Sequence, residues 1–351
     1  MAETLRLTKF KDVDLSDPFF DTLKDQYNEF PEWFAKKAEE PVYVVDAASG
    51  NGLIGFLYLK VEEGSVDDVV PPLPPAKRLK VGTLKILAHG TKLGERVVKK
   101  AIDKAVNEHV EELYVTVFAE HQPLINLLKR YGFMEGGTKT TPNGQELVLV
   151  KKLEAGTGDI EKDYPFITTN GKSIWLLAIY PEWHSNLFPD SLLKSETADV
   201  LADVSHTNSI HKVYVAKLSL KRMKRGDIVV AYRTTDRPGQ ARFRSVATSL
   251  CVVEESRSRK DFASAKTFAD WAAPHSVFTK KELRDWYSSP DRLYAIKMTY
   301  NIAFPKRPIR DLLLEDVGIS EQPRWDLREL TSTQLKKIIK LAQVDESLII
   351  N

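Results

Sequence analysis

The sequence contains a single cysteine, and this scarcity excludes an internal disulfide framework. Cys251 stands among apolar and β-branched residues, which favours a small buried side chain over a nucleophile. No apolar run approaches the length that spans a bilayer. The first residues also lack the basic start and apolar core of a secretory signal. Together these absences predict a cytoplasmic protein with no membrane partner.

Histidine is also sparse, and the seven histidines form no ligand spacing with the lone cysteine, so we predict no metal site. Charge is nearly balanced overall, with a net charge of +2. The balance differs along the chain, because residues 1–150 carry 19 basic and 23 acidic side chains, whereas residues 217–260 carry 12 and 4. This asymmetry predicts a basic surface in the second half of the protein only.

Hydrophobic periodicity predicts a mixed α/β sheet in the first half of the chain. We read residues 71–78 as a proline-rich loop and Gly132, Gly136 and Gly137 as turn residues. The main predicted elements are a strand at Leu5–Thr8, helices near 17–40, two strands between 41 and 63, a strand at Arg78–Ala88, a helix at Leu93–His109, a buried strand, a short helix at Pro123–Arg130 and a strand at Gln145–Lys151.

Strand patterns dominate after a polar, glycine-containing segment at 154–163, which we interpret as a linker. Helical patterns interrupt these strands at 260–272, 280–288 and 331–342. The predicted organisation is therefore a first domain at 1–153, the linker, and a mostly β domain with peripheral helices at 164–351.

The stretch Leu84–Arg96, LKILAHGTKLGER, is the most informative motif. It predicts a strand that ends in a loop and leads directly into an amphipathic helix. The first turn of a helix leaves backbone N–H groups without intrahelical partners, so this geometry binds phosphate without a particular side chain.

With Tyr131-Gly132-Phe133 downstream, this motif resembles the acyl-CoA site of GNAT N-acetyltransferases. That family has Arg/Gln-x-x-Gly-x-Gly/Ala where this chain has His89-Gly-Thr-Lys92-Leu-Gly94, so the final glycine is kept while the first position and the middle glycine differ. The resemblance implies acetyl-CoA as the co-substrate. It also implies these cofactor-binding residues: Ile86, Leu87, Ala88, His89, Lys92, Leu93, Gly94, Glu95, Arg96 and Asn126.

GNAT chemistry is the direct attack of an amine on a thioester, which requires an oxyanion donor and a proton acceptor. The resemblance implies a backbone N–H near Leu87 or Ala88 as the donor. The candidate proton carriers are Glu120, His121 and His89, because a histidine titrates in the right range. Of these, Glu120 and His121 are predicted to be catalytic. The tyrosine that protonates the thiolate in many members corresponds to Leu128, so a protein that binds CoA without catalysis stays an alternative.

The second half resembles the PUA-like superfamily, which includes PUA, ASCH and EVE domains, in its strand order and its Lys224-Arg-Gly-Asp227 turn. This resemblance implies a β-barrel that binds RNA or a modified nucleotide through basic and aromatic side chains. The alternative is that the tryptophans are core and the basic residues a solvated face. The candidate nucleic-acid-binding residues are Trp183, His184, Asn186, Lys224, Arg225, Tyr232, Arg233, Arg242 and Arg244.

The sequence thus predicts an acetyl-CoA-dependent N-acetyltransferase whose second domain recruits an RNA, possibly a tRNA. One alternative is a protein or small-amine acetyltransferase in which the second domain is a sensor. Another is a non-catalytic protein that binds CoA and nucleic acid.

Overall fold

A computed structural model describes residues 5–47, 50, 52–87, 92–191, 209–322 and 325–351. The chain forms two compact units, Met1–Glu154 and Ala155–Asn351. Among the described residues, every helix is too short or too polar to cross a membrane.

In its described residues, the first unit is a seven-stranded sheet with four α-helices, in the strand order β1-β2-β3-β4-β5-β7-β6. The β4–β5 pair is parallel and the other pairs are antiparallel. Its elements are β1 (Leu5–Lys9), α1 (Asp21–Gln26), α2 (Phe30–Lys36), β2 (Pro41–Asp46), β3 (Leu53–Val66), β4 (Leu73–Ile86), α3 (Leu93–Asn107), β5 (Glu112–Phe118), α4 (Gln122–Arg130), β6 (Met134–Thr141) and β7 (Gly144–Lys152).

Helix α3 forms where the sequence predicts it, because its apolar residues recur at helical spacing and bury one face. Val97, Ala101, Ile102 and Ala105 are all buried. The helix ends two residues before the predicted end, since His109 has a positive φ of 50° and cannot continue it.

An aromatic cluster packs on the sheet beside α1 and α2. The ring of Phe10 lies edge-on to Phe34 at 4.9 Å and to Tyr58 at 5.2 Å, and Phe20 lies edge-on to Phe56 at 5.2 Å. Such pairs add to the area that the rings bury, so they hold α2 and the start of α1 against β3.

Two predictions for the first unit are wrong in detail. The proline-rich segment 71–78 is largely strand, because β4 already begins at Leu73. Of the glycines read as turn residues, Gly136 and Gly137 lie in β6, a strand that the sequence pattern did not predict. At Gly137, φ is +149° and a Cβ atom would lie 2.4 Å from the carbonyl oxygen of Val70. This glycine therefore permits a close backbone approach instead of a turn.

The second unit contains a six-stranded sheet in the order β10-β13-β12-β11-β9-β14 and a two-stranded sheet of β15 and β8. Its elements are β8 (Ile167–Thr168), β9 (Ile174–Ile179), α5 (Pro181–Leu187), β10 (His211–Ala216), β11 (Ile228–Arg233), α6 (Ala241–Arg244), β12 (Val246–Ser258), α7 (Ala265–Ala272), α8 (Lys280–Ser288), β13 (Tyr294–Ala303), α9 (Arg310–Glu315), β14 (Leu327–Leu330), α10 (Ser332–Ala342) and β15 (Ile349–Ile350).

The predicted fold class, a mixed α/β sheet followed by a β-rich region with peripheral helices, is confirmed. Trp175 lies in the core, and its indole N–H donates to the Asp227 carboxylate of the Lys224–Asp227 turn at 2.9 Å. Cys251 is fully buried, and burial raises the pKa of its thiol to about 12. Closure of the six strands into a barrel stays a prediction.

The segment read as a linker, 154–163, contains hydrogen-bonded turns. The Asp163 carboxylate accepts hydrogen bonds from the backbone N–H groups of Thr157 and Gly158, at 3.0 Å and 2.9 Å. Along the chain, the boundary between the two compact units falls after Glu154, so residues 155–163 belong to the second unit. The exact domain limits stay a prediction.

Candidate acyl-CoA and nucleotide sites

Strands β4 and β5 separate towards their carboxyl ends. They are paired only from Arg78 to Val81 on β4 and from Glu112 to Val115 on β5. Beyond this point β4 continues to Ile86, paired with β3. In the described part of the chain, the end of β4 therefore has an open edge on the β5 side, with backbone groups available to a ligand.

The direction of the N–H groups along this edge corrects one prediction. The N–H of Leu87, expected to be an oxyanion donor, donates to the carbonyl of Ile54 in β3 at 2.8 Å. Alternate residues of a paired strand direct their N–H groups to opposite sides. Since the register between Gly55–Ile86 and Leu57–Leu84 is regular, the N–H groups of Leu84 and Ile86 point towards the open edge.

Helix α3 begins at Leu93, directly beyond this edge, with Lys92 as its N-cap residue. Gly94 lies close to α4, because a Cβ atom there would be 2.8 Å from Cδ2 of Leu127. The small residue lets the first turn of α3 and its N–H groups face a ligand. This part of the GNAT resemblance thus rests on backbone geometry.

Two cavities meet between the separated strands. The larger, of about 500 Å³, borders the end of β4 and the start of α3 and is called here the CoA-side cavity. The smaller, of about 260 Å³, borders β4, β5, α1 and α2 and is called the acceptor-side cavity. The residues that line both are Leu23, Gln26, Leu84, His121 and Leu124.

Of the two predicted catalytic residues, only His121 lines the cavities. It precedes α4 and is half-buried at the junction of the two spaces. Glu120 is exposed, lines neither cavity, and accepts a hydrogen bond from the Gln26 amide at 3.4 Å. Leu128 is buried in the core, so the usual tyrosine position offers no proton donor here.

The predicted cofactor residues fall into three groups. Ile86, Lys92, Gly94 and Glu95 line the CoA-side cavity. Ala88 and His89 lie outside the described residues. The remaining four do not line that cavity: Leu87 and Asn126 are exposed, and Leu93 and Arg96 are buried.

The acceptor-side cavity contains residues that the sequence reasoning missed. Glu146 on β7 is 4% exposed, and one of its carboxylate oxygens accepts a hydrogen bond from the Tyr27 hydroxyl at 2.7 Å. Burial, and then the hydrogen bond to Glu146, raise the pKa of Tyr27 above its ordinary value, so the hydroxyl stays protonated. Tyr27 and Glu146 are 119 residues apart in the sequence. No local sequence pattern therefore connects them.

The second unit has a cavity of about 650 Å³ with an aromatic lining, called here the aromatic cavity. Its polar wall includes Thr234, Ser245 and Arg310, and the Arg310 guanidinium lies 4.5 Å from the centre of the Trp325 ring. Flat rings beside an arginine suit the stacking and hydrogen bonding of a base. The aromatic residues that line it are Tyr180, Trp183, Tyr214, Tyr232, Phe278, Trp286 and Trp325.

Only two of the predicted nucleic-acid residues, Trp183 and Tyr232, line this cavity. Trp183 is 36% exposed and its ring packs 4.8 Å from Phe278. His184 is instead fully buried, with Nε2 2.7 Å from the Thr248 hydroxyl. Burial lowers the pKa of His184 to about 3, and this neutral core residue is not a surface contact. Asn186 bonds the Glu182 carbonyl of its own helix at 3.0 Å.

The predicted basic residues are not gathered at the aromatic cavity. Arg242 pairs with Asp311 at 2.5 Å and with Glu315 at 2.6 Å, and Arg244 pairs with Asp236 at 2.5 Å. Arg233 is buried, whereas Lys224 and Arg225 are exposed. Charges already paired on the surface contribute less to a phosphate contact, so the expectation of one basic face is weakened.

The missed residues of the aromatic cavity come from distant parts of the sequence. Trp286, Arg310 and Trp325 lie on α8, at the start of α9 and just before β14. The concentration of tryptophan after residue 170 was the available signal, but only the fold shows which rings share a cavity.

Residues 7–133 match the family model of the Acetyltransferase (GNAT) family, over less than half of the chain. This match lies within the first unit and supports acetyl-CoA as its co-substrate. Among curated proteins, none matches the chain.

Similar solved structures include ASCH from Zymomonas mobilis, with 12% identity over 48% of this chain and 94% of that chain and a TM-score of 0.34. A GNAT family acetyltransferase from Elizabethkingia anophelis with acetyl-CoA bound has 14% identity over 43% of this chain and 99% of that chain, with a TM-score of 0.31. An N-acetyltransferase from Staphylococcus aureus Mu50 has 14% identity over 44% of this chain and 100% of that chain, with a TM-score of 0.34.

Proposed function

We propose that the protein is an acetyl-CoA-dependent N-acetyltransferase and that its second unit recruits an RNA acceptor. The observation that carries the first part is the junction of the two cavities at the open edge of β4. An acyl donor in the CoA-side cavity and an amine in the acceptor-side cavity would meet at Leu84, His121 and Leu124. The GNAT match supports the same reaction.

Each part of the reaction then has a candidate group in the first unit. Acetyl-CoA supplies an activated acetyl group. The N–H groups of Leu84 and Ile86 are placed to stabilise the negative charge that develops on the thioester carbonyl oxygen. His121 is the candidate proton acceptor, because an imidazole nitrogen can accept a proton and this side chain lines both cavities. With Leu128 in the tyrosine position, the departing thiolate takes its proton from water or from His121.

The second part of the proposal rests on the aromatic cavity. Aromatic rings bind bases by stacking without a strict sequence requirement, and Arg310 adds a cationic planar group. We propose that a base of the RNA enters this cavity. The phosphate contacts of Lys224, Arg225, Arg242 and Arg244 stay part of the proposal as weaker, salt-dependent contributions.

A labelling assay tests both parts together. The purified protein is incubated with acetyl-labelled CoA and a cell lysate, and the RNA and protein fractions are then separated. We expect the label in RNA, and we expect His121→Ala to reduce it by about 100-fold or more. Label confined to protein or to small amines would instead support the alternative in which the second unit is a sensor. Intact acetyl-CoA with every acceptor would identify a binding protein without catalysis.

A further inference from the structure

The acceptor-side cavity has an aromatic wall and one buried acid. Tyr27 stacks on Phe118 with ring centres 5.5 Å apart, and Phe30 stacks on Trp33 at 5.5 Å. All four rings line the cavity together with Glu146. A space of about 260 Å³ with such walls suits a small group on an apolar stem.

Glu146 is more than nine-tenths buried, yet among the described residues its carboxylate has one hydrogen-bond donor, the Tyr27 hydroxyl. Within the described ranges, Glu146 forms no ion pair with a lysine or arginine. A buried carboxylate without a cation is costly, because desolvation is not offset by an opposite charge. The Tyr27 hydroxyl donates one hydrogen bond to one carboxylate oxygen of Glu146. It does not compensate the negative charge of the carboxylate.

The two lysines of the same cavity have other partners. Lys139 lies directly across the β6–β7 pair from Glu146, but its ammonium group pairs with Asp68 at 2.5 Å. Lys80 lies 5.5 Å from the centre of the Tyr114 ring, and burial lowers its pKa. The nearby carboxylate of Glu29 accepts hydrogen bonds from the neutral amide of Asn143 at 2.9 Å and 3.1 Å. The acceptor-side cavity is therefore suited to a cation that comes with the ligand.

We propose that Glu146 binds the acceptor as an aliphatic ammonium group, with the aromatic wall around its apolar stem. This inference rests on the proposed function and makes its substrate class specific. The exocyclic amines of nucleobases are neutral at pH 7 and would leave Glu146 unpaired. An amino acid has the required ammonium group, whether it is free or esterified to the end of an RNA. Tyr27 is a positioning residue, because its hydroxyl fixes one oxygen of Glu146.

The group transfer balances without a further reactant. The bound ammonium first loses one proton, and the resulting amine nitrogen attacks the thioester carbonyl. A nitrogen–carbon bond forms and the carbon–sulfur bond breaks. The nitrogen loses a second proton and the CoA sulfur gains one. The products are an N-acetyl amine, CoA thiol and one proton released to solvent.

Two probe amines test the inference. Phenylalanine methyl ester has an aliphatic ammonium group beside an aromatic stem, and cytidine has a neutral exocyclic amine. Release of CoA thiol from acetyl-CoA is measured with each. We expect turnover of the ester and none of cytidine. Phenylalanine esterified to RNA, compared with the methyl ester, shows whether an RNA carrier lowers KM for the same ammonium group.

The variants separate binding from folding. Glu146→Gln keeps the shape and removes the charge, so KM for the ester should rise at least tenfold while KM for acetyl-CoA stays unchanged. Tyr27→Phe should raise KM for the ester about two- to fivefold, because it removes one hydrogen bond that positions the Glu146 carboxylate but leaves the charge in place. Glu135→Gln is the matched control, because Glu135 is an exposed residue that pairs with Lys129 away from both cavities.

The outcomes distinguish this inference from the proposed function. Equal KM values for the ester in wild type and Glu146→Gln, or turnover of cytidine in place of the ester, would overturn the ammonium site while acetyl transfer stands. Failure to acetylate any amine, with acetyl-CoA bound, would overturn the proposed function itself.

Discussion

The main chain shapes the CoA-side cavity of the first unit, whereas side chains shape the aromatic cavity of the second unit. In the first unit, the CoA-side cavity depends on strands that separate and on a helix that begins at their end. In the second unit, the aromatic cavity depends on side chains brought from several helices and strands. A site formed by the main chain tolerates changes in side chain, whereas a site formed by rings does not. The departure of Lys92 from the family pattern is therefore compatible with the proposed acyl-CoA site.

The largest expected effect comes from removing one backbone N–H at the open edge of β4. Ile86→Pro deletes a donor that does not pair with β3, so the sheet should persist. We expect kcat to fall about 100- to 1,000-fold, as for the loss of an oxyanion donor. Steady-state kinetics and thermal unfolding of the variant provide the measurement. An unchanged kcat would show that Leu84 or another group is the donor.

A second prediction concerns His184, which the fold places in the core of the second unit. Its pKa of about 3 in the folded protein is below the ordinary 6.5, and the main cause is burial, followed by the charges of Arg233 and Arg307. The unfolded chain therefore binds more protons below pH 6.5, and the folded state loses stability as pH falls. Between pH 7 and pH 5 the loss should be about 2 kcal/mol.

Tryptophan fluorescence in urea measures this loss, because five of the six tryptophans belong to the second unit. The variant His184→Gln keeps a polar group near Thr248 but cannot take up the proton. Its stability should depend less on pH over the same interval. An equal pH dependence in both proteins would assign the effect to another residue.

A third prediction tests whether the aromatic cavity of the second unit depends on its side chains. Trp183→Ala removes a half-exposed ring from the aromatic cavity and should weaken RNA binding about tenfold, because base stacking contributes about 1–3 kcal/mol. Filter binding at fixed low salt gives the dissociation constant. Trp271→Ala is the control, since that ring does not line the cavity. Equal losses in the two variants would remove the aromatic cavity from the proposal.

The smallest expected effect is that of Lys92→Ala in the first unit. Its side chain lies at the N-terminus of α3 and also 3.4 Å from Glu95. If backbone groups supply most of the binding, acetyl-CoA should bind about two- to fivefold more weakly, as for one charge near a helix end. Calorimetric titration measures this change. A loss above 100-fold would mean that the first unit also depends on side chains.

In the first unit, the sequence predicts those elements that depend only on residues close together in the chain. The strand–loop–helix of Leu84–Arg96 and the position of His121 need only neighbouring residues for their recognition. Strand β6 was missed because Gly136 and Gly137 are typical of turns, while the actual reason for Gly137 is a distant backbone contact with Val70. Tyr27 and Glu146 were missed because their contact depends on the folded sheet.

In the second unit, the sequence predicted that His184 contacts nucleic acid, whereas the fold buries its side chain. Residues 181–187 form the short helix α5. Helical periodicity then buries His184 and leaves its neighbour Trp183 half-exposed. Aromatic composition indicated a binding surface, yet the rings that share the cavity are set by tertiary contacts.

The open edge of β4 also has a consequence for amide hydrogen exchange. The N–H groups of Leu84 and Ile86 point away from β3, so they should exchange with solvent faster than that of Leu87, which is bonded to Ile54. A CoA arm that bears amide carbonyls would pair with these groups and slow their exchange. Protection at alternate residues of β4, gained only with acetyl-CoA, would identify the ligand as an additional strand at the edge of the sheet.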